Sequence, residues 1–227
     1  MVSATGISGW VERLRAFPAT LGARDGLAFH SWAVDPPVES QTALELRAAL
    51  GQAIPARFLE FLAATARTDC RYTFEYDPDN DAETNAYLGL FPDMTAIYGG
   101  PCIGPANELA GSVIECREWG AKLETPVGQD DARYWQTALP FIEIGNGDYV
   151  SLWLGTREGV RDDPPVIYLS HEDRSRWLAP SFSGFLARWE RLAYLGPEIW
   201  LLERFLTDGG LTATASRVTE FRRLLGL

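Results

Sequence analysis

Two apolar runs, residues 139–144 and 148–154, are separated only by Gly145-Asn146-Gly147. So short a link leaves room for nothing but a tight antiparallel hairpin, and Asn-Gly supplies the positive φ angles such a turn needs. Residues 165–170 read as another strand. Phe182, Phe185, Leu186, Trp189 and Leu192 then mark one face of a helix, with Ser181 as its N-cap. That order suggests a small α+β binding module.

The rest of the chain supplies enough apolar mass to build on that frame. Hydrophobic residues make up 46% of the 227, with 8 Trp, 8 Tyr and 11 Phe, which argues against wholesale disorder. No repeat or low-complexity tract is present. The reading is one domain over residues 1–227, with a core at about 42–195, an N-terminal helix and a helical C-terminal tail. A net charge of −11 repels phosphate backbones and anionic membranes, so neither nucleic acid nor membrane is an expected ligand. The same field would speed encounter with a basic protein, although it also simply confers solubility. Of the basic residues only Lys122 is lysine. Cys70, Cys102 and Cys116 form no Cys-x-x-Cys pair, and free buried thiols in a reducing compartment fit best. The first eighteen residues lack the shape of a signal peptide, and no window approaches the roughly 20 apolar residues of a membrane span. A soluble cytoplasmic protein is expected.

Trp10, Leu14 and Phe17 predict a short helix over residues 8–17, followed by a turn-rich stretch ending in Asp35-Pro36-Pro37. A helix is expected over 42–50. Ile54, Phe58, Phe61, Leu62 and Thr65 share the face of the next, with Pro55 in the first turn. Tyr72, Phe74 and Tyr76 alternate with Thr73 and Glu75 in a half-buried strand, which runs into the loop Asp77-Pro78-Asp79-Asn80-Asp81. Residues 88–105 carry no assignable pattern. A helix starting near Ala106 should bury Leu109, Val113, Cys116 and Gly120. Residues 199–206 and 215–225 predict two terminal helices separated by Asp208-Gly209-Gly210.

Catalytic signatures are sparse. The chain has only His30 and His171, with no Gly-x-Ser-x-Gly elbow, no His-Glu-x-x-His and no phosphate-binding loop. His171-Glu172-Asp173 follows a strand, where a general base or ligand could be presented; a solvated strand-end turn is the plainer reading. Asp77, Asp79 and Asp81 resemble the opening of a calcium loop, but Ala82 and Leu88 stand where an EF-hand needs Gly and Glu. No metal or other cofactor is therefore expected. Residues 69–83 carry six acids against Arg71 alone, which offers a surface to a cationic partner. Glu108, Glu115, Glu118, Glu124 and Glu143 show no spacing that singles out an acid/base pair. Trp119, Tyr134, Trp135, Tyr149 and Trp153 could line an exposed patch. Tyr149 and Trp153 lie on the strand face opposite Val150, Leu152 and Leu154, and are anchor candidates if that face is open. A sheet packed on both faces is the competing reading.

Four segments, taken in order, resemble the SUKH superfamily, which includes fungal cell-wall-assembly regulators and many bacterial proteins. Ile54-Pro55-Ala56-Arg57-Phe58-Leu59-Glu60-Phe61-Leu62 is similar to its "Leu-Pro-x-x-(aromatic)-x-x-Phe-Leu" helix, and Leu139 to Val150 to its strand–turn–strand. Pro165 to Asp173 is similar to its "Pro-Val-x-x-x-x-His-Asp/Glu" segment, and Ala179 to Leu186 to its "Ala-x-Ser-Phe-x-x-Phe-Leu" helix start. Thr68-Asp69-Cys70 departs from the family's usual Asn-Gly-Gly turn, and Asn146 stands where a second glycine is common. The resemblance implies an α+β domain with a central, mostly antiparallel sheet flanked by helices. It also implies a non-enzymatic immunity protein that binds a polymorphic toxin, here a basic one. Asp77, Asp79, Asp81, Glu83, Tyr149 and Trp153 are the expected contact residues, with Asp148 capping the hairpin. The alternatives are a regulatory module with an endogenous partner and a small hydrolase using His171.

Overall fold

In the computed structural model, which describes residues 6–22, 24–123, 126–155, 161–212 and 216–227, the first half runs α1 (Gly6–Leu21), β1 (Leu27–Val34), α2 (Ser40–Leu50), α3 (Ala56–Leu62), β2 (Thr68–Glu75), α4 (Asp81–Leu90), β3 (Ala96–Gly99) and β4 (Cys102–Ile103). The second half runs α5 (Leu109–Lys122), α6 (Pro126–Gln136), β5 (Ala138–Ile144), β6 (Asp148–Trp153), β7 (Val166–Leu169), β8 (Arg176–Ala179) and α7 (Phe182–Arg191). The tail is α8 (Ile199–Leu202), a 3-10 turn (Glu203–Phe205), the strands β9 (Leu206–Thr207) and β10 (Gly210–Leu211), and α9 (Ser216–Leu224). This is the expected α+β fold with helices at the C-terminal end.

The expected central sheet is divided into two. In the first, β2 has β1 on one edge, while β3 and β4 share the other. The second has the order β5-β6-β7-β8. All these pairings are antiparallel. The predicted hairpin is β5–β6, with Ile144 opposite Asp148. Its turn differs in detail: Gly147 alone adopts a positive φ, 93°, and its N–H donates to the Ile144 carbonyl at 2.9 Å. That is the three-residue hairpin, in which only the last loop position must be left-handed.

A bridge between Gly99 and Leu195 links the first sheet to the chain beyond α7, and a hydrogen bond from Gly104 N–H to the Phe141 carbonyl links it to the second sheet. Ala193 and Tyr194 sit at φ 50° and 60°, a conformation L-residues adopt at a cost. The Tyr72 hydroxyl donates to the Ala193 carbonyl at 2.8 Å, and Gly100 N–H donates to the Tyr194 carbonyl at 2.8 Å, so both carbonyls are satisfied. Burial pushes the Tyr72 phenol far above its ordinary pKa, which keeps it a donor.

One face of the second sheet builds the main core. Phe58 and Phe61 of α3 meet Phe182 of α7, Phe58 also meets Phe141 of β5, and Trp10 of α1 meets Phe61 and Tyr194. Each such edge or tilted pair contributes about 0.5–1.5 kcal/mol beyond the area it buries. Ser181 caps α7 by accepting from Gly184 N–H, as its position predicted. The opposite sheet face is also covered. There α5 and α6 bury Cys116 and Trp135 against Ala138, Tyr149, Ile167 and Leu169. The sheet is thus packed on both sides. Leu109, Val113, Cys116 and Gly120 of α5 face inward as expected.

Several elements were not expected. The turn-rich stretch after residue 17 contains the last turn of α1 and the whole of β1, and the unassigned 88–105 stretch holds β3 and β4. The acidic loop ends at Asn80, and Asp81 is the first residue of α4. The predicted helix over 199–206 stops at Phe205, because Leu206 turns into the β9–β10 hairpin. Ala215, the predicted start of the last helix, lies outside the described residues. Cys70 and Cys116 are free and buried, with thiols pushed up to about 12 by burial, while Cys102 is free and half-buried. Among the described residues no helix is long and apolar enough to cross a membrane.

Candidate functional site

Asp148 opens β6 and is 3% exposed. A carboxylate so enclosed needs donors around it, and four are supplied. Its Oδ2 accepts from the Tyr168 hydroxyl at 2.7 Å and from Asn146 Nδ2 at 3.0 Å. Its Oδ1 takes the His171 backbone N–H at 2.8 Å and lies 2.7 Å from His171 Nδ1. Burial alone would raise this carboxyl. The hydrogen bonds from His171, Tyr168 and Asn146 outweigh it and hold the carboxyl below its ordinary range. The register makes the cluster: Tyr149 pairs with Leu169, so Asp148 meets the chain as it leaves β7. Asp148 therefore does more than cap the hairpin, and His171 is a half-buried ring pinned beside it rather than a solvated turn. Among the described residues no hydroxyl or thiol hydrogen-bonds to His171, so the Asp–His pair has no nucleophile attached.

The pinned ring is one wall of a cavity of about 330 Å³, whose other sides are Glu115 and Trp119 of α5, Trp135 of α6, Tyr149 of β6 and the Asn146-Gly147 turn. Trp119 lies 6.2 Å from His171 and 6.3 Å from Trp135, centroid to centroid, and Trp135 meets Tyr149 edge-on at 6.1 Å. The Tyr149 hydroxyl donates to Glu115 Oε2 at 3.1 Å. Close helix contact makes this possible: a Cβ on Gly120 would stand 2.8 Å from the Trp135 Cβ, so glycine lets α5 and α6 approach. On the far side of α6, Tyr134, Trp153 and Trp177 contact one another edge-on, within 5.3–5.7 Å. Trp119 and Trp177 are the exposed members of these two aromatic clusters, at 39% and 38%.

The five aromatics singled out in the sequence thus gather in one region, though Tyr149 is only 7% exposed and Trp153 is half-buried. Closure of the sheet face by α5 and α6 removes both as freely exposed anchors. Tyr149 is reached only through the cavity. Sequence reasoning missed Trp177 and His171 as members. Trp177 sits on the four-residue strand β8, too short to show alternation.

The acidic contact candidates form no part of these clusters. Asp77, Asp79 and Asp81 are exposed. The Asp77 carboxylate accepts from Asp79 N–H, and Asn80 caps α4 by accepting from Glu83 N–H. Acids there complement the positive end of the helix dipole. Glu83 is engaged by Arg24 at 2.9 Å, which makes it less available than its neighbours. Among the described residues no three His, Cys, Asp or Glu side chains converge as metal ligands. Glu124 lies outside the described residues. Among the described residues the hydrogen bonds and ion pair of the acidic turn run within residues 77–84 and to Arg24, away from the aromatic residues.

Comparison with curated proteins returned no match. A family model does match, that of the SMI1 / KNR4 family (SUKH-1), over residues 37–188. The matched span takes in α3, the hairpin, β7, the Asp148–His171 pair and most of α7. With about two-thirds of its length so matched, this chain belongs to the SMI1 / KNR4 (SUKH-1) family.

Proposed function

We propose that this chain is a non-enzymatic protein-binding module that acts in the cytoplasm as an immunity protein, neutralising a cognate basic toxin domain by covering it. The observation that carries the reading is the pair of tryptophans, Trp119 and Trp177, each left more than a third exposed at the edge of an aromatic cluster packed against α6. Large exposed aromatics cost hydration free energy unless a partner covers them, and interface hot spots favour tryptophan. Family membership supports protein–protein interaction. The net charge of −11 and the exposed carboxylates of Asp77, Asp79 and Asp81 support a basic partner, drawn in at an increased association rate. Trp153 contributes by backing Trp177, Tyr149 by packing on Trp135 beside Trp119, and Glu83 by holding the acidic turn.

Co-expression with toxic domains encoded by neighbouring reading frames tests this. Restored growth and a purified complex are expected, with association slowed by salt and by the Asp77→Asn/Asp79→Asn/Asp81→Asn variant. Substrate turnover by the purified chain, or no protection against any neighbouring domain, would overturn it.

A further inference from the structure

The geometry points to the 330 Å³ cavity between α5, α6 and the β5–β6 turn as a receptacle for one arginine side chain of the protein partner. The inference rests on the docking reading above and assigns it a central contact.

The walls present ring faces and edges from Trp119, Trp135 and Tyr149, with the Glu115 carboxylate at the exposed mouth. Aromatic faces attract cations through the ring quadrupole, most strongly where water is excluded, and tryptophan is the best of them. Glu115 spends Oε2 on the Tyr149 hydroxyl. Among the described residues no hydrogen bond is made by its Oε1, which leaves that oxygen to take a guanidinium N–H. Among the described residues no lysine or arginine lines the cavity. His171 has its Nδ1 engaged with the Asp148 carboxylate at 2.7 Å. The described lining is therefore aromatic, acidic at its mouth and without a lysine or arginine.

Arginine fits these features better than lysine. Its planar, weakly hydrated guanidinium stacks on an indole while its N–H fork reaches a carboxylate; an ammonium is a compact, strongly hydrated point charge that does neither well.

The test titrates the full chain with N-acetyl-arginine-amide and follows the indole N–H resonances by NMR, using N-acetyl-citrulline-amide as the uncharged isostere. The expected result is saturable movement of the Trp119 and Trp135 signals, with citrulline at least tenfold weaker and the lysine analogue intermediate. Glu115→Gln keeps the acceptor for Tyr149, and should weaken arginine binding at least fivefold while leaving the circular dichroism unchanged. Trp119→Ala should abolish it. Equal response to arginine and citrulline, or full binding by Trp119→Ala, would overturn the inference. Capture of a toxin domain equally well by wild type and both variants would overturn it too, and would leave the docking reading standing.

Discussion

Replacing Asp148 with Asn changes a single atom, yet should cost the fold about 2–5 kcal/mol. The carboxylate receives the Tyr168 hydroxyl at 2.7 Å, Asn146 Nδ2 at 3.0 Å, and the His171 ring and backbone nitrogens at 2.7 and 2.8 Å. An asparagine can keep its oxygen toward His171, but its amide nitrogen then faces two donors. Losing two charge-assisted bonds costs about 1.5–3 kcal/mol each, and a rotated Tyr168 hydroxyl accepting from the new N–H returns roughly 1 kcal/mol. For a chain of this size a loss of about 3 kcal/mol lowers the thermal midpoint by roughly 6–12 °C. The pH dependence has a fixed sign. The folded carboxyl lies below its ordinary value, so its contribution is complete above the unfolded value near ~3.9 and is lost as pH falls through the folded one. The gap between wild type and Asp148→Asn should therefore narrow as pH falls below about 4. Urea or thermal unfolding as a function of pH is the assay. A midpoint within about 2 °C of wild type at pH 7, or a gap that persists in acid, would refute the reasoning.

Three further substitutions probe the frame that holds the aromatic clusters. Tyr72→Phe leaves the buried Ala193 carbonyl without its donor, and should lower unfolding free energy by about 1–3 kcal/mol in urea titration. Phe58→Ala empties the contact between α3, Phe141 and Phe182, and should cost about 3–5 kcal/mol by the same assay. Gly120→Ala gains up to ~1 kcal/mol of helix propensity but forces a Cβ to within 2.8 Å of the Trp135 Cβ. Overpacking of about 1–3 kcal/mol should prevail, with changed near-ultraviolet circular dichroism from the displaced indole and weaker arginine-probe binding.

What the sequence disclosed was local. Helix faces that repeat every three or four residues, such as Leu109-Val113-Cys116-Gly120 and Phe182-Phe185-Leu186-Trp189, announced themselves, as did the Ser181 cap and the Gly145-Asn146-Gly147 hairpin. Other elements were hidden by composition. The acids and proline of 77–81 read as loop because the same residues that break a chain also start a helix, and α4 begins there. The strand β1 lies between glycine-rich and proline-rich segments, and its half-buried pattern is irregular, interrupted by a bulge between Phe29 and Ser31. The Asp148–His171 pair joins residues 23 apart, so it follows only from the β6–β7 register, which no single segment encodes. Likewise the aromatics 119, 134, 135, 149 and 153 were visible as candidates, while their gathering required α5 and α6 to close over a particular sheet face. Exposure of Trp177 at β8 depends on where that cover ends.

The central claim is that this protein works by seating a partner on the exposed Trp119 and Trp177. Isothermal titration of the neutralised toxin domain against the Trp119→Ala/Trp177→Ala chain tests it most directly, with circular dichroism to verify folding. A loss of affinity of at least about a hundredfold, some 3 kcal/mol, is predicted. Affinity within twofold of wild type by a correctly folded double variant would contradict it.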